Sequence, residues 1–135
     1  MKAFLGVKPA KYEDGTDLAD VMRWNEYGTE TIPPRPVLMM AAEKIVGGEE
    51  FKEAMTAYLK NLIANPGEAE SLEKELLRKI GSQSVAEAKR IIKAGAELQR
   101  NAPSTIRKKG PGKPPLFDEG LMIKNIAYEI GEDHE

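Results

Sequence analysis

The chain has 135 residues, enough for one domain with its own core, and its lack of cysteine excludes disulfides and thiolate metal sites. Hydrophobic residues make up 41% of the chain but aromatic residues only 6%, so the core must consist mainly of aliphatic side chains. No apolar run approaches the ~18 residues of a membrane span, and the first residues are too weakly apolar for a secretory signal.

A net charge of −2 conceals an uneven distribution of charge. Residues 100–116 contain five bases and no acid, so 15 bases face 22 acids in the rest of the chain, a net charge of −7 there. This separation of charge gives information about binding partners rather than about the fold. The five bases are Arg100, Arg107, Lys108, Lys109 and Lys113.

The first predicted elements are a strand and a capped helix. Residues 3–7 favour a short strand that ends before Pro9. Thr16 or Asp17 is expected to cap the following helix by accepting a backbone N–H, and Gly28 is placed to end that helix in a left-handed conformation.

A proline-rich loop and an apolar helix come next. Pro33 and Pro34 exclude helix for the residues before them, whereas Pro36 is typical of a helix's first turn. The apolar residues that follow predict a well-buried helix, broken at Gly47 and Gly48. Its two adjacent methionines, and one in the next helix, are predicted to fill gaps in the core; these are Met39, Met40 and Met55.

Two further helical segments follow. Apolar residues recur at i, i+3, i+4, i+7 and i+8 over residues 51–63, and Pro66 follows as a stop signal. Residues 68–99 predict one helix kinked near Gly81, where the apolar stripe shifts phase and residues 84–87 resemble a capping box. Two separate helices are the alternative.

The C-terminal part is predicted to be a loop and a strand. Four prolines and two glycines over residues 101–115 indicate an irregular exposed loop, so the exposed basic segment spans 100–116. Residues 116–120 suggest a turn, and partial alternation over 121–130 suggests a strand. We therefore expect an α+β fold: a helix-rich single domain over residues 1–135, with a small antiparallel sheet whose strands lie near both chain ends. Because two strands rarely make a stable sheet alone, further strands or another subunit should complete it.

No catalytic constellation emerges from the sequence. The only histidine, His134, lies at the frayed end of the chain, and no cysteine is available as a nucleophile. The GPGK run at 110–113 lacks the spacing of a phosphate-binding loop. The acids at 14, 17 and 20 fit the start of a helix better than a calcium loop, and those at 43, 49, 50 and 53 fit a solvated helix face. The prediction is a protein that is not an enzyme and needs no metal or cofactor.

Two sequence blocks carry a resemblance to a known family. "RWNEYGTETIPPRPVL", residues 23–38, and "NAPSTIRKKGPGKPPLFDEGLMIKNIAYEI", residues 101–130, resemble signatures of bacteriophage tail-completion or head–tail joining proteins, also described as neck or virion morphogenesis proteins. The blocks cover about a third of the chain in the expected order. The chain departs from the pattern at Val37, where Phe is common, and at Glu119 and Lys124.

The resemblance implies a structural protein that completes the tail end or joins tail to head. Such proteins lie in the virion at the head–tail interface, are assembled in the host cytoplasm, and commonly form a six-fold homo-oligomeric ring that contacts other tail and head-connector proteins. Contact with DNA is compatible with this role, and contact with a membrane is not expected. Ring contacts are heterologous, and opposite charges on the two contacting patches would favour the correct register.

The first block suggests a partner-binding site, to which the five bases of the basic segment are added. In this hypothesis Trp24 and Tyr27 pin the end of the first helix to the core. Asn25, Glu26 and Thr29 hydrogen-bond the following loop, and Arg35 pairs with Glu26. The prolines would stiffen the loop and reduce the entropy lost on docking. An intramolecular clamp without any partner contact remains the alternative.

Two other functions stay open. A small nucleic-acid-binding accessory protein could use the basic loop 100–113, because lysine and arginine neutralise phosphates. A small hydrolase could use the acidic helix faces, although no spacing points to one.

Overall fold

A computed structural model of the chain describes residues 1–31, 33–101 and 119–131. Helices dominate, with one strand near each chain end, as the sequence predicts for an α+β fold. In chain order the elements are β1 (Lys2–Val7), α1 (Leu18–Tyr27), α2 (Val37–Val46), α3 (Glu49–Ala64), a 3-10 turn (Pro66–Glu68), α4 (Ala69–Asn101), α5 (Glu119–Asn125) and β2 (Ile126–Gly131).

The two strands form an antiparallel sheet. Lys2 lies opposite Gly131 and Val7 opposite Ile126, and the ladder continues one step further, where Lys8 N donates to Asn125 O at 2.8 Å. Strands from the two chain ends therefore close the fold, as predicted.

The strand predicted over residues 121–130 is wrong in its first half. Glu119–Asn125 is the helix α5, and only Ile126–Gly131 is a strand. Met122 and Ile126, four residues apart, are both buried, which is helical spacing rather than strand alternation. Asn125 closes the helix by donating its side-chain amide to Leu121 O at 2.8 Å.

The long helix α4 is the element around which the others pack. It runs unbroken from Ala69 to Asn101 and contacts both strands, α2, α3 and α5. One helix is therefore confirmed, whereas the capping box at 84–87 is wrong. Ser84 is buried inside the helix, and Glu87 is engaged in ion pairs.

The core lies between α1, α2, α4, α5 and the inner face of the sheet. Its buried members are mainly aliphatic, as the composition requires. They are Tyr12, Leu18, Val21, Met22, Val37, Ala41, Ala88, Ile92, Met122 and Ile126.

Helices α2 and α3 are more exposed than the sequence predicts. Only Val37 and Ala41 of α2 are buried, and no residue of α3 is. Met39 and Met40 are 54% and 43% exposed, so they do not fill core gaps. The apolar side chains of α3 do recur at helical spacing. They are only partly covered, because α3 packs mainly against α4.

Tyr128 of β2 fixes the sheet on α4. A Cβ built on Gly81 would lie 2.6 Å from Cγ of the Tyr128 ring, closer than real carbon atoms approach. The apolar stripe of α4 changes phase at Gly81, and this is where the sheet approaches the helix.

Candidate partner-binding site at the α1–α2 junction

The α1–α2 junction, residues 24–38, starts where Gly28 ends α1. Gly28 N donates to Trp24 O at 2.8 Å, with φ +77° and ψ 172°. Positive φ was predicted, but this ψ belongs to an extended region that is essentially restricted to glycine rather than to the left-handed helical region. Gly28 therefore ends α1 in an extended conformation rather than in a left-handed helical one.

Asn25 connects the end of α1 to the end of the loop. Its side chain is buried, and its Nδ2 donates to Val21 O at 3.0 Å. Its main-chain carbonyl accepts a hydrogen bond from Arg35 N at 2.5 Å. The main chain of Asn25 thus holds the loop closed at its base, whereas its side chain bonds within α1 and not to a described residue of the loop.

Glu26 caps α2 instead of pairing with Arg35. Its Oε1 accepts a hydrogen bond from Leu38 N at 2.5 Å, in the first turn of α2. A carboxylate suits this position because the first backbone N–H groups of a helix have no partner within it. The pair predicted between Glu26 and Arg35 is wrong: within the described residues, neither side chain forms an ion pair with the other.

Arg35 lies across α4. A Cβ built on Gly95 would lie 2.6 Å from Cζ and 2.9 Å from Nη1 of Arg35, so the guanidinium occupies the space that any other residue at position 95 would need. The contact between Gly95 and Arg35 was not predicted from the sequence. A glycine inside an otherwise good helix costs about 1 kcal/mol, and that unexplained cost was the available signal.

The two aromatic residues of the junction have opposite environments. Trp24 is half-buried and packs against the core, as predicted. Tyr27 is 78% exposed, so the prediction that it pins α1 to the core is wrong. At this junction Trp24 therefore packs against the core, whereas the ring of Tyr27 faces solvent.

An ion cluster links the last turn of α2, at Lys44, to α4. Glu87 Oε1 lies 2.5 Å from Arg90 Nη2 and 3.2 Å from Lys44 Nζ. Hydrogen bonding from Arg90, assisted by Lys44 and opposed by burial, lowers the pKa of Glu87 to about 2. The carboxylate is thus ionised at neutral pH.

The acids at the start of α1 are engaged in local contacts. Thr16 N donates to Asp14 Oδ1 at 2.9 Å, which lowers the pKa of that carboxyl, and Asp20 pairs with Arg23 at 2.8 Å. Asp17 is the residue before the helix, but its side chain makes no capping hydrogen bond, contrary to prediction. Among the described residues, no group of three or more His, Cys, Asp or Glu is arranged to hold a metal ion.

The basic half of the predicted site contributes no described side chain. Arg107, Lys108, Lys109 and Lys113 lie outside the described residues, and Arg100 lies in α4 with its side chain outside the described part. His134 also lies outside it. The described part of the predicted site is its first half, Trp24 to Arg35.

A cleft of about 480 Å³ lies between β2 and α4. Its lining, Lys8, Ser82, Val85, Ile126, Ala127 and Tyr128, contains a single charged side chain and no acid–base pair. In the described part of the chain, none of the helices is long and apolar enough to cross a bilayer.

Comparison of the chain with protein-family models, with curated proteins and with solved structures finds no match.

Proposed function

We propose that this chain is a structural component of a bacteriophage particle that completes the tail end or joins the tail to the head, as a ring of identical copies. The two sequence blocks that resemble head–tail joining proteins are the observation that carries the proposal. The physical role assigned to the chain is adhesion and shape, with no bond-breaking step.

The geometry of the α1–α2 junction supports a role as an attachment point. The hydrogen bonds from Arg35 N and Leu38 N, together with the position of the guanidinium against Gly95, hold the two ends of the loop together. A surface that is already ordered loses less entropy when a partner binds. Tyr27 is the side chain that this scaffold leaves for such a partner, since aromatic residues are enriched in interface centres.

The test is a stop codon in the gene of the phage that carries it, followed by electron microscopy of the particles. A joining role predicts DNA-filled heads and separate tails, with joined particles restored when the protein is supplied in trans. Intact infectious particles made without the protein would contradict the proposal, as would turnover of a small substrate by the purified chain.

The basic segment favours one alternative, a nucleic-acid-binding accessory protein, because five bases occur there without an acid. Binding to phosphates weakens steeply with salt, since each neutralised phosphate releases counterions. Titration of duplex and single-stranded DNA at two salt concentrations would distinguish the two functions. Affinity that is strong at low salt and falls steeply would favour the alternative.

A further inference from the structure

Within the described residues, the sheet has two edges without a neighbouring strand, and these edges differ in chemistry. It contains only β1 and β2 within the described residues, although two strands alone are marginal as a sheet. An antiparallel ladder alternates between pairs that bond each other and pairs whose N–H and C=O groups point away. Lys8 and Asn125 form a hydrogen-bonded pair. By this alternation, the pairs Gly6–Ala127 and Phe4–Glu129 are hydrogen-bonded as well.

The remaining residues direct their main-chain groups outward. On β1 these are Ala3, Leu5 and Val7, and on β2 they include Tyr128 and Ile130. In the part of the chain that the structure describes, no further hydrogen bond involves the outward groups of these five residues. Each edge can therefore accept another strand, which is the basis of strand addition between protein chains.

We infer that β1 of one copy pairs antiparallel with β2 of the next, so that the sheet continues from copy to copy. The inference rests on the proposed ring only in taking a second copy as the occupant. The contact is heterologous, since the edge of β1 meets the different edge of β2, and this is the type of contact that generates rings.

The charges on the strands favour this unlike pairing. β1 and the residue after it carry Lys2 and Lys8 and no acid, whereas β2 carries Glu129 and no base. With Leu5 opposite Tyr128 of the neighbouring copy, Phe4 lies opposite Glu129 and Lys2 lies diagonally from it. Diagonal neighbours are ~7 Å apart, within reach of long side chains.

Pairing of like edges is disfavoured by the same charges. Two β1 strands centred on Leu5 would place Lys2 directly opposite Lys8 of the other copy. Two β2 strands centred on Tyr128 would bring the two copies of Glu129 into diagonal contact. Like charges in such positions are destabilising, so these like pairings are disfavoured relative to the unlike pairing.

Cysteine cross-linking of the full chain tests the contact, because the natural sequence contains no cysteine. Phe4→Cys and Glu129→Cys are made as separate variants, each checked for unchanged melting, and then mixed at high concentration under mild oxidation. Each chain has one thiol, so every disulfide joins two copies. In the inferred register the two positions form a non-hydrogen-bonded pair ~4.5 Å apart between Cα atoms, which suits a disulfide.

The inference predicts that the mixed disulfide dominates and that each variant alone gives little dimer. Dominant homodimers of either variant would overturn it, because they would show like edges in contact. Absence of the mixed product would also overturn it, whether the protein is monomeric or associates through another surface.

A backbone variant provides an independent check. Ala3→Pro removes an N–H that points from the open edge of β1, whereas Ala3→Val keeps that N–H at the same position. In the Phe4→Cys background, the proline is expected to abolish the mixed cross-link and the valine to preserve it. Equal cross-linking by both would contradict strand pairing.

Failure of the edge contact and failure of the proposed function are distinguishable. If the stop-codon phage still separates into heads and tails while the mixed cross-link is absent, only the edge contact is wrong. If the cross-link forms while particles assemble without the protein, the copies associate but the joining role is wrong.

Discussion

The guanidinium of Arg35 lies where a Cβ at position 95 would be, and Gly95 of α4 is the residue that permits it. Replacing a helical glycine with alanine ordinarily stabilises a helix by about 1 kcal/mol. We expect Gly95→Ala to lose most of that gain and to change the free energy of unfolding little, because the flexible end of Arg35 must leave its position. Urea denaturation of the two proteins measures the difference.

The matched control for this contact is the same substitution in an Arg35→Ala background. Without the guanidinium, the alanine has room, so it should stabilise by about the ordinary helical gain. Equal effects of Gly95→Ala in both backgrounds would show that the two residues do not interact.

A second close approach predicts a net loss of stability. The Tyr128 ring lies against Gly81, and its Cγ and Cδ2 would be 2.6 Å and 2.5 Å from an added Cβ. A ring packed between β2 and α4 cannot move as freely as the end of an arginine, so Gly81→Ala should cost ~2 kcal/mol. Thermal unfolding tests this, with Gly81→Ala in a Tyr128→Leu background as control. A stabilised single variant would refute the packing.

Substitutions at Glu26 test its role as the cap of α2. Glu26→Ala removes the acceptor of the Leu38 N–H and is expected to lower the free energy of unfolding by ~1 kcal/mol. Glu26→Gln keeps an oxygen acceptor and should lose less, because only the interaction of the charge with the helix dipole is removed. Chemical denaturation of both variants gives the comparison, and a larger loss for Gln than for Ala would contradict the capping role.

The ion cluster of Glu87 predicts a pH dependence of stability. The folded-state pKa of about 2 lies below the ordinary 4.5, so the stabilisation is complete above about pH 4.5 and is lost as the pH falls towards 2. Since Arg90 and Lys44 are more than half exposed, solvent screening limits the contribution to ~1 kcal/mol. Glu87→Gln should lower stability near neutral pH and flatten its acid dependence. An unchanged acid slope in this variant would show that Glu87 is not responsible.

Strand and helix positions were largely predictable because local signals act within a few residues. The glycine at the end of α1, the regular apolar spacing of α3 and the alternation at Tyr128 each report local geometry. The helix at 119–125 was missed because a seven-residue helix that runs straight into a strand shares its apolar residues with that strand. Periodicity alone cannot separate the two in so short a run.

The contacts of the residues in the candidate site were not predictable from the sequence. A glutamate and an arginine nine residues apart suggested an ion pair, yet each found a partner distant in sequence: Glu26 the backbone of Leu38, and Arg35 the surface at Gly95. Such contacts depend on how α2 crosses α4, which no local pattern encodes. Likewise, the exposure of Tyr27 depends on where the core ends and could not be read from its neighbours.

The central claim is that the α1–α2 junction is a prebuilt attachment surface, and Tyr27 tests it most directly. Because that ring is 78% exposed, Tyr27→Ala should leave the melting temperature nearly unchanged. The control is Ile63→Ala, which removes an exposed apolar side chain, 83% accessible, near the C-terminus of α3. Each variant is supplied in trans to the stop-codon phage, and joined particles are counted by electron microscopy. We predict that Ile63→Ala restores joined particles and Tyr27→Ala does not. Full restoration by a normally folded Tyr27→Ala protein would contradict the claim.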